Sequence, residues 1–262
     1  MSTKLSVGFI QFDVTDNIDK NVSNVSYEIE RIVRDKIDVI VLPELWSCGF
    51  NYRILDEAVG MTPDILATVS SLAQEHNVTI IGSLPEKKIK NIYNTAFVTD
   101  PNGKIISKYQ KIHLFPPLKE DKHFAPGRVA SVFTINGVTF GTAICFDIRF
   151  PELIRKLADQ GMEVLVVCAQ WPKIRYHQWI TLLKARAIEN QIFVVAVNRC
   201  GTQCGTEFLG HSVIVNPYGE AVYEAHEFEE SDEALIDLSL IEKFKKQFDS
   251  LALRRPKTYE TK

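Results

Sequence analysis

The sequence predicts an α/β fold built from two mixed β-sheets, each covered by helices. Apolar, β-rich runs alternate with stretches of helical spacing along almost the whole chain. Turn sequences such as Asn136-Gly137 join some neighbouring strands as hairpins, which a purely parallel sheet does not contain. The 262 residues show no internal repeat, low-complexity block or linker. We therefore expect one layered domain over residues 1–262.

The first half of the chain alternates strands and helices up to a hairpin. The helix after the first strand has its apolar residues on one face: Val22, Val25, Ile29, Ile32 and Val33. Pro63 is expected near the start of the next helix, where a missing N–H is tolerated. The expected elements are strands over 5–14, 38–42 and 78–84, a helix over 63–77, and hairpin strands over 95–98 and 104–109 around Asp100-Pro101-Asn102-Gly103.

The second half continues the alternation and ends in a polar tail. Expected strands lie at 132–135, 138–144, 163–169, 192–198, 212–215, 221–223 and 235–238, with helices at 151–158, 177–190 and 240–248. Residues 249–262 contain the polar run Arg254-Arg255-Pro256-Lys257-Thr258. We expect this tail to pack on a partner subunit.

Composition excludes several classes of protein. A net charge of -3 and a pI near 6.1 provide no general attraction to nucleic acid or to an anionic membrane. Residues 1–10 lead straight into a strand pattern, so we expect no secretory signal, and no apolar run is long enough to span a bilayer. Five irregularly spaced cysteines argue against a disulfide framework. We therefore expect a cytoplasmic protein.

The most informative residue is Cys145, which follows the apolar run 138–144. Pro151 then stands where a helix is expected to begin. A cysteine at a strand-to-helix junction lies near unpaired backbone N–H groups and the positive end of a helix dipole. Both features favour the thiolate, so this position indicates a nucleophile.

Glu44 and Lys111 also follow apolar strands. Because ligands bind beyond the carboxyl ends of strands in α/β sheets, the two side chains could meet Cys145 in one pocket. The carboxylate could take the thiol proton and return it to a leaving amine, while the ammonium stabilises an oxyanion. Taken singly, a glutamate or lysine is usually solvated, and a cysteine is more often an apolar core residue. Spacing alone leaves these alternatives open.

Three sequence blocks resemble, in order, the signature motifs of the nitrilase or carbon–nitrogen hydrolase superfamily. They are Leu42-Pro43-Glu44-Leu45, Lys108-Tyr109-Gln110-Lys111-Ile112-His113-Leu114-Phe115 and Ile144-Cys145-Phe146-Asp147-Ile148-Arg149-Phe150-Pro151-Glu152. The resemblance extends to about Leu238. It implies a four-layer αββα sandwich, a homodimer or larger assembly, and no metal or organic cofactor. By this likeness Glu44 is the general base, Lys111 the oxyanion stabiliser and Cys145 the nucleophile, with the Phe146 N–H as a second oxyanion donor.

The run 118–127 resembles the segment in which many members of the superfamily carry a further glutamate. Glu120 matches that position, which implies that it orients Lys111 or contacts the substrate. Asp121 is its neighbour and could be confused with it. A charged surface loop is the alternative interpretation.

The runs 169–179 and 182–191, with Asn198-Arg199, resemble the ω-amidase branch, whose members cleave the side-chain amide of 2-oxo acid amides such as 2-oxoglutaramate and 2-oxosuccinamate. A substrate carboxylate suits a guanidinium group, and Arg149 and Arg175 are the candidates. Either could instead form a structural ion pair. Trp171 could form a wall of the pocket or belong to the core.

Other functions remain as alternatives. Within the superfamily they are an N-carbamoyl amino acid amidohydrolase and a nitrilase. A Cys-His peptidase would need His113, His123, His177 or His211 beside Cys145. An inactive binding module on the same fold is the non-enzymatic alternative. The spacing of Cys200, Cys204 and His211 is poor for zinc, so we expect no metal site.

Overall fold

The computed structural model describes residues 3–33 and 36–259. Six strands form the first sheet in the order β14-β1-β2-β3-β4-β5. The strands β1–β3 are parallel to one another, and the other neighbours in the sheet are antiparallel. Their bounds are β1 Lys4–Gln11, β2 Val39–Val41, β3 Thr79–Lys88, β4 Asn91–Thr99, β5 Ile105–Gln110 and β14 Glu230–Asp237.

The second sheet also has six strands, in the order β13-β12-β9-β8-β7-β6. The central strands β7–β9 are parallel, and antiparallel strands flank them. Their bounds are β6 Val132–Ile135, β7 Val138–Ile144, β8 Val164–Ala169, β9 Phe193–Asn198, β12 Val213–Val215 and β13 Ala221–Glu224. A separate hairpin consists of β10 Cys200–Gln203 and β11 Thr206–Leu209.

Seven helices accompany these strands in the described residues. They are α1 Ile18–Ile32, α2 Leu55–Glu75, α3 Glu120–His123, α4 Pro151–Ala158, α5 Tyr176–Asn190, α6 Ser239–Gln247 and α7 Pro256–Tyr259. None of them combines the length and the hydropathy that a transmembrane helix requires.

Three apolar clusters establish a four-layer αββα sandwich, as the sequence predicts. The central cluster joins the facing sides of the two sheets and includes Phe9 and Val41 of the first and Phe140 and Val195 of the second. A second cluster packs α1 and α2 against the outer face of the first sheet. The third packs α4 and α5 against the outer face of the second sheet. The central strands β2, β8 and β9 therefore bury both faces, which explains their continuous apolar sequences.

Helix α2 begins eight residues before the expected start, so the prediction that Pro63 stands near its N-terminus is wrong. Pro63 lies inside the helix. Leu55, Ala58 and Thr62 are buried upstream of the proline, and the Thr62 hydroxyl donates to the Ala58 carbonyl at 2.9 Å. Burial of this helix face outweighs the one backbone hydrogen bond that Pro63 cannot donate.

The hairpin β10–β11 is an element that the sequence analysis interpreted as a loop. Its two-residue turn contains Cys204 at φ 49° and Gly205 at φ 78°, the left-handed backbone of a tight hairpin turn. The strands lack apolar alternation, which is why the pattern did not predict them. By contrast, Asn136 and Gly137 form the predicted turn, at φ 51° and 82°.

The C-terminal segment contacts its own chain over the residues that the structure describes. The Ser250 N–H and hydroxyl both donate to Gln191 Oε1 at 3.0 Å. Arg254 forms an ion pair with Asp159 at 2.5 Å. Residues 260–262 of the expected partner-binding tail lie outside the described residues.

Candidate active site

The ends of three strands deliver Glu44, Lys111 and Cys145 to one region. Glu44 follows β2, Lys111 comes directly after β5, and Cys145 comes directly after β7. The strands β2 and β5 run in the same direction in the first sheet, and β7 belongs to the second. All three side chains are buried. The site lies where the carboxyl ends of strands from both sheets meet.

Lys111 lies between two carboxylates. Its Nζ is 2.6 Å from Glu44 Oε1 and 2.7 Å from Glu120 Oε2, and all three side chains have no exposed surface. The Phe115 N–H also donates to Glu120 Oε2, at 2.7 Å. Glu120 and Glu44 thus both pair with Lys111. Asp121 does not enter the site, since it pairs with Lys122 at 3.0 Å near the surface.

Two further residues hold the carboxylates, and the sequence analysis assigned neither of them a role. The Asn94 amino group donates to Glu44 Oε1 at 2.8 Å and to Glu120 Oε1 at 3.0 Å. The Gln170 N–H donates to Glu44 Oε2 at 3.0 Å. Asn94 is an amide residue in the buried half of β4. This was the signal in the sequence that could have identified it. Gln170 acts through its backbone, which leaves no signal in the side-chain pattern.

A strained turn presents Cys145. Its φ is 46°, in the left-handed region that residues with a Cβ seldom adopt. The buried Asp147 carboxylate holds this turn by accepting hydrogen bonds from the Ile144 N–H at 3.0 Å and the Tyr109 hydroxyl at 2.7 Å. His113 also donates to Asp147 from its backbone N–H at 3.0 Å. Asp147 thus joins the turn of Cys145 to the segment around Lys111.

The expectation that Cys145 is held as a thiolate is wrong for the resting site. Burial and the neighbouring Glu44 carboxylate raise the pKa of the Cys145 thiol well above its ordinary value. The residues after Cys145 form a short 3-10 helix, Cys145–Arg149, and α4 begins only at Pro151. Because a helix dipole acts over about one turn, that of α4 does not offset the burial. A base must therefore take the thiol proton as the sulfur reacts.

Glu44 has the properties of such a base. Burial raises the pKa of its carboxyl group above the ordinary value, and Glu120 adds to the rise while Lys111 opposes it. Burial alone lowers the pKa of Lys111, but Glu120 and Glu44 together raise it above its usual range. Lys111 therefore remains an ammonium, and Glu44 can be ionised at neutral pH yet accept a proton readily.

A narrow cleft opens beside Cys145. Its lining residues are Phe115, Cys145, Phe146, Trp171, Pro172 and Arg175. The Trp171 indole N–H donates to the Arg175 carbonyl at 2.8 Å, so the ring is fixed beside this wall. The Phe146 N–H lies in the first turn of the 3-10 helix, where backbone donors have no partner within the helix.

Arg175 lines this cleft, and Arg149 lies against two rings of its wall, those of Phe146 and Trp171. The Arg149 guanidinium carbon is 5.1 Å from the centre of the Trp171 ring, and that of Arg175 is 5.6 Å from the Phe115 ring. Burial and the charge of Arg175 lower the pKa of Arg149, which shows that the two cations are close. Within residues 3–33 and 36–259, neither forms an ion pair with a carboxylate, although Arg149 donates to Gln178 Oε1. Two positive charges therefore lie at the wall of one narrow cleft.

The histidines that a Cys-His peptidase would need have other partners. His113 is hydrogen-bonded to Asp147, His123 stacks on Tyr52 at 3.7 Å, and His211 pairs with Glu224 at 3.2 Å. His177 is exposed. No described histidine acts on Cys145. The carboxylate beside Cys145 is that of Glu44.

The other cysteines lie outside this site. Cys48 and Cys168 belong to apolar clusters, and Cys200 is buried whereas Cys204 is exposed. In the described part of the chain, no group of three or more His, Cys, Asp or Glu side chains is arranged to hold a metal ion.

Comparison with known proteins agrees with this geometry. The sequence profile described as Carbon-nitrogen hydrolase matches residues 6–246. This chain belongs to the carbon–nitrogen hydrolase family. It is 38% identical over 238 residues to a 2-oxoglutaramate amidase of Bacillus subtilis (strain 168), which covers 90% of this chain and 92% of the relative. It is also 38% identical over 227 residues to a Staphylococcus aureus protein described as a hydrolase in the agr operon, with coverage of 85% and 86%.

A solved structure shows the same architecture. The crystal structure of a carbon–nitrogen hydrolase from Helicobacter pylori G27 superposes with a TM-score of 0.93 at 26% sequence identity and covers 98% of this chain and 97% of its own. The family and the αββα sandwich expected from the three sequence motifs are thus confirmed.

Proposed function

We propose that this carbon–nitrogen hydrolase is an ω-amidase, which hydrolyses the side-chain amide of 2-oxo acid amides such as 2-oxoglutaramate and 2-oxosuccinamate. The observation that carries the proposal is the position of the Cys145 thiol. It lies beside the buried Glu44–Lys111 pair, in a cleft with two guanidinium groups at its wall. The similarity to a 2-oxoglutaramate amidase supports the same class of substrate.

In the first step, the Cys145 sulfur attacks the amide carbonyl carbon and its proton passes to Glu44. Oε2 of Glu44 accepts one backbone hydrogen bond, whereas Oε1 accepts two bonds, so Oε2 is the better placed acceptor. The electron pair of the carbonyl bond moves to its oxygen, which Lys111 and the Phe146 N–H stabilise. Collapse of this intermediate breaks the C–N bond, Glu44 returns the proton to the nitrogen, and ammonia leaves.

The second step releases the acid. A water molecule attacks the thioester carbon and gives a proton to Glu44, and a second tetrahedral intermediate forms against the same donors. Its collapse breaks the C–S bond, and the proton returns to the Cys145 sulfur. In both steps Glu44 alternates between base and acid, which requires a carboxyl group whose pKa lies closer to neutrality than that of a solvated glutamate.

Charge at the wall of the cleft supports the choice of a 2-oxo acid amide. We propose that Arg149 and Arg175 bind the substrate carboxylate, since a guanidinium group matches it with two parallel donors. The rings of Phe115 and Trp171 would hold the carbon chain between this carboxylate and the reacting amide.

Ammonia release across a panel of substrates tests the proposal. The panel contains 2-oxoglutaramate, a matched nitrile and a matched N-carbamoyl amino acid, and the Cys145→Ala variant is the control. We expect the highest kcat/KM with 2-oxoglutaramate and no turnover by the folded variant. A higher kcat/KM on the carbamoyl compound or the nitrile would assign the protein to one of those activities instead. No turnover of any compound by the folded wild-type protein would indicate a binding module.

We also propose that residues 1–262 form one domain, that the protein is a homodimer, and that it works in the reducing cytoplasm. The shared apolar interface of the two sheets supports one cooperative unit. Phe248 and Leu253, near the C-terminus, are 51% and 72% exposed, which supports coverage by a second copy. All five cysteines are free, which supports a reducing compartment.

Sedimentation analysis of the protein with and without residues 249–262 tests the assembly, and a single monomeric species would contradict it.

A further inference from the structure

We propose that Asn94 is a positioning residue that holds the two carboxylates flanking Lys111 in place, and so keeps Glu44 available as a base. This inference rests on the proposed mechanism. Its central observation is that a single amide NH₂ group donates one hydrogen to Glu44 and the other to Glu120, at 2.8 and 3.0 Å. No other described side chain contacts both carboxylates except Lys111 itself.

The composition of the buried cluster explains why such a bridge is needed. Two carboxylates and one ammonium lie at full burial, so the cluster carries one net negative charge when both acids are ionised. Repulsion from Glu120 and the loss of solvation both favour protonation of Glu44. Lys111 offsets part of this with one hydrogen bond to each acid. Beside the backbone donors of Gln170 and Phe115, Asn94 supplies a further donor to each acid without adding a charge.

The orientation of the Asn94 amide is determined by its neighbours. If its oxygen faced Glu44 and Glu120, it would be repelled by two carboxylate oxygens, so the NH₂ group must face them. In the described structure the amide oxygen then has no hydrogen-bond donor, although the side chain is fully buried. Leaving a buried acceptor unpaired destabilises a fold. The orientation of the Asn94 side chain thus satisfies the two carboxylates and leaves its own amide oxygen without a hydrogen bond.

Other ionisable groups also lie near this cluster. Cys145 lies beside Glu44, and Tyr52 interacts electrostatically with Glu120, Lys111 and Glu44. Asp121 acts on Tyr52 from outside the cluster. The pKa of Tyr52 is raised far above neutrality by burial, and the pKa of the Cys145 thiol is raised likewise. Over acidic and neutral pH, therefore, Glu44 is the group of this cluster whose raised pKa controls removal of the Cys145 proton.

Alkylation of Cys145 by iodoacetamide as a function of pH tests the inference without any substrate. The rate depends on an ionised Glu44 to take the thiol proton, so it falls as the pH drops through the pKa of Glu44. Cys204→Ser removes the exposed cysteine and is the parent of every variant. In Asn94→Ala the midpoint of the acid limb should move up by about one pH unit, which corresponds to a roughly tenfold slower reaction below the midpoint.

A matched control separates positioning from mere stability. Asn190 is likewise buried, with its NH₂ group bonded and its oxygen without a partner, but its main acceptor is the Arg186 carbonyl at 2.9 Å. Asn190→Ala should lower thermal stability and leave the midpoint unchanged. If Asn94→Ala does not fold, Asn94→Ser retains one donor and should show a smaller upward shift.

An unchanged midpoint in a folded Asn94 variant would overturn the inference, even if the maximal rate fell. The outcome is distinguishable from failure of the proposed function. If 2-oxo acid amides are not hydrolysed by the wild-type protein, the substrate assignment fails, while the alkylation profile still reports whether Asn94 controls the carboxylates.

Discussion

At the scale of single residues, the reactivity of this site depends on burial more than on helix dipoles. Burial and Glu44 raise the pKa of the Cys145 thiol. Lys111 remains charged because two carboxylates contact it. Neither property can be derived from residue type, since both depend on which charges share the cavity and how little water reaches them.

The pH dependence of kcat/KM should report the ionisation of Glu44. Burial and Glu120 raise the pKa of this carboxyl group above its ordinary value of 4.5. Because the ionised form is the base, activity is present above the raised pKa and is lost as the pH falls through it. Measured kcat/KM between acidic and neutral pH should therefore show an acid limb above 4.5. A limb at or below that value would exclude Glu44 as the base.

Arg175→Ala should weaken binding of acidic substrates selectively. Loss of a hydrogen-bonded charge contact costs about 1.5–3 kcal/mol, or roughly a 10- to 100-fold rise in KM for 2-oxoglutaramate. A neutral amide of similar length should be affected much less. Lys173→Ala is the matched control, since it removes a nearby positive charge that pairs with Glu207 at the surface. Equal effects of Arg175→Ala on both substrates would show that Arg175 is not the carboxylate-binding residue.

At the scale of structural elements, the site depends on how the segments after β5 and β7 are joined. Both lead directly into a reactive side chain, Lys111 in one case and Cys145 in the other. Asp147 connects them through Tyr109 and His113. The left-handed conformation of Cys145 persists because these bonds hold it.

Asp147→Asn should weaken the hydrogen bonds that join the Cys145 turn to Tyr109 and His113, while preserving side-chain volume. The amide has one acceptor oxygen in place of two, so at least one charged hydrogen bond is lost, at about 1.5–3 kcal/mol of the free energy of unfolding. We also expect kcat to fall, because the Cys145 turn loses its constraint. Chemical denaturation and steady-state kinetics measure both effects.

The matched control for that substitution is Asp159→Asn, which removes a half-exposed partner of Arg254. It should cost no more than about 1 kcal/mol and leave kcat unchanged. Full activity of folded Asp147→Asn would show that the turn does not need this carboxylate.

At the scale of the whole molecule, the two sheets pack against each other and together position the site. Their facing sides form one apolar cluster, with Phe140 fully buried at its centre. The proposed catalytic side chains come from both sheets, so their spacing depends on this interface.

Phe140→Ala should therefore destabilise the fold by about 3–5 kcal/mol, the usual cost of removing a buried aromatic ring. Phe228→Ala is the matched control, because that ring is 69% exposed and its removal should change the stability by less than about 0.5 kcal/mol. Thermal or urea unfolding measures both. Similar stabilities of the two variants would argue that the sheets do not share a common core.

The sequence alone determined the layered α/β class, most strands and helices, the turn at Asn136-Gly137 and the candidates Glu44, Lys111, Glu120 and Cys145. Those features follow from local periodicity, turn chemistry and short motifs. Tertiary structure alone decided that α2 continues through Pro63, that Asn94 bridges two carboxylates, and that burial raises the pKa of the Cys145 thiol. Each of these depends on burial and on contacts between residues far apart in the chain, which local patterns do not encode.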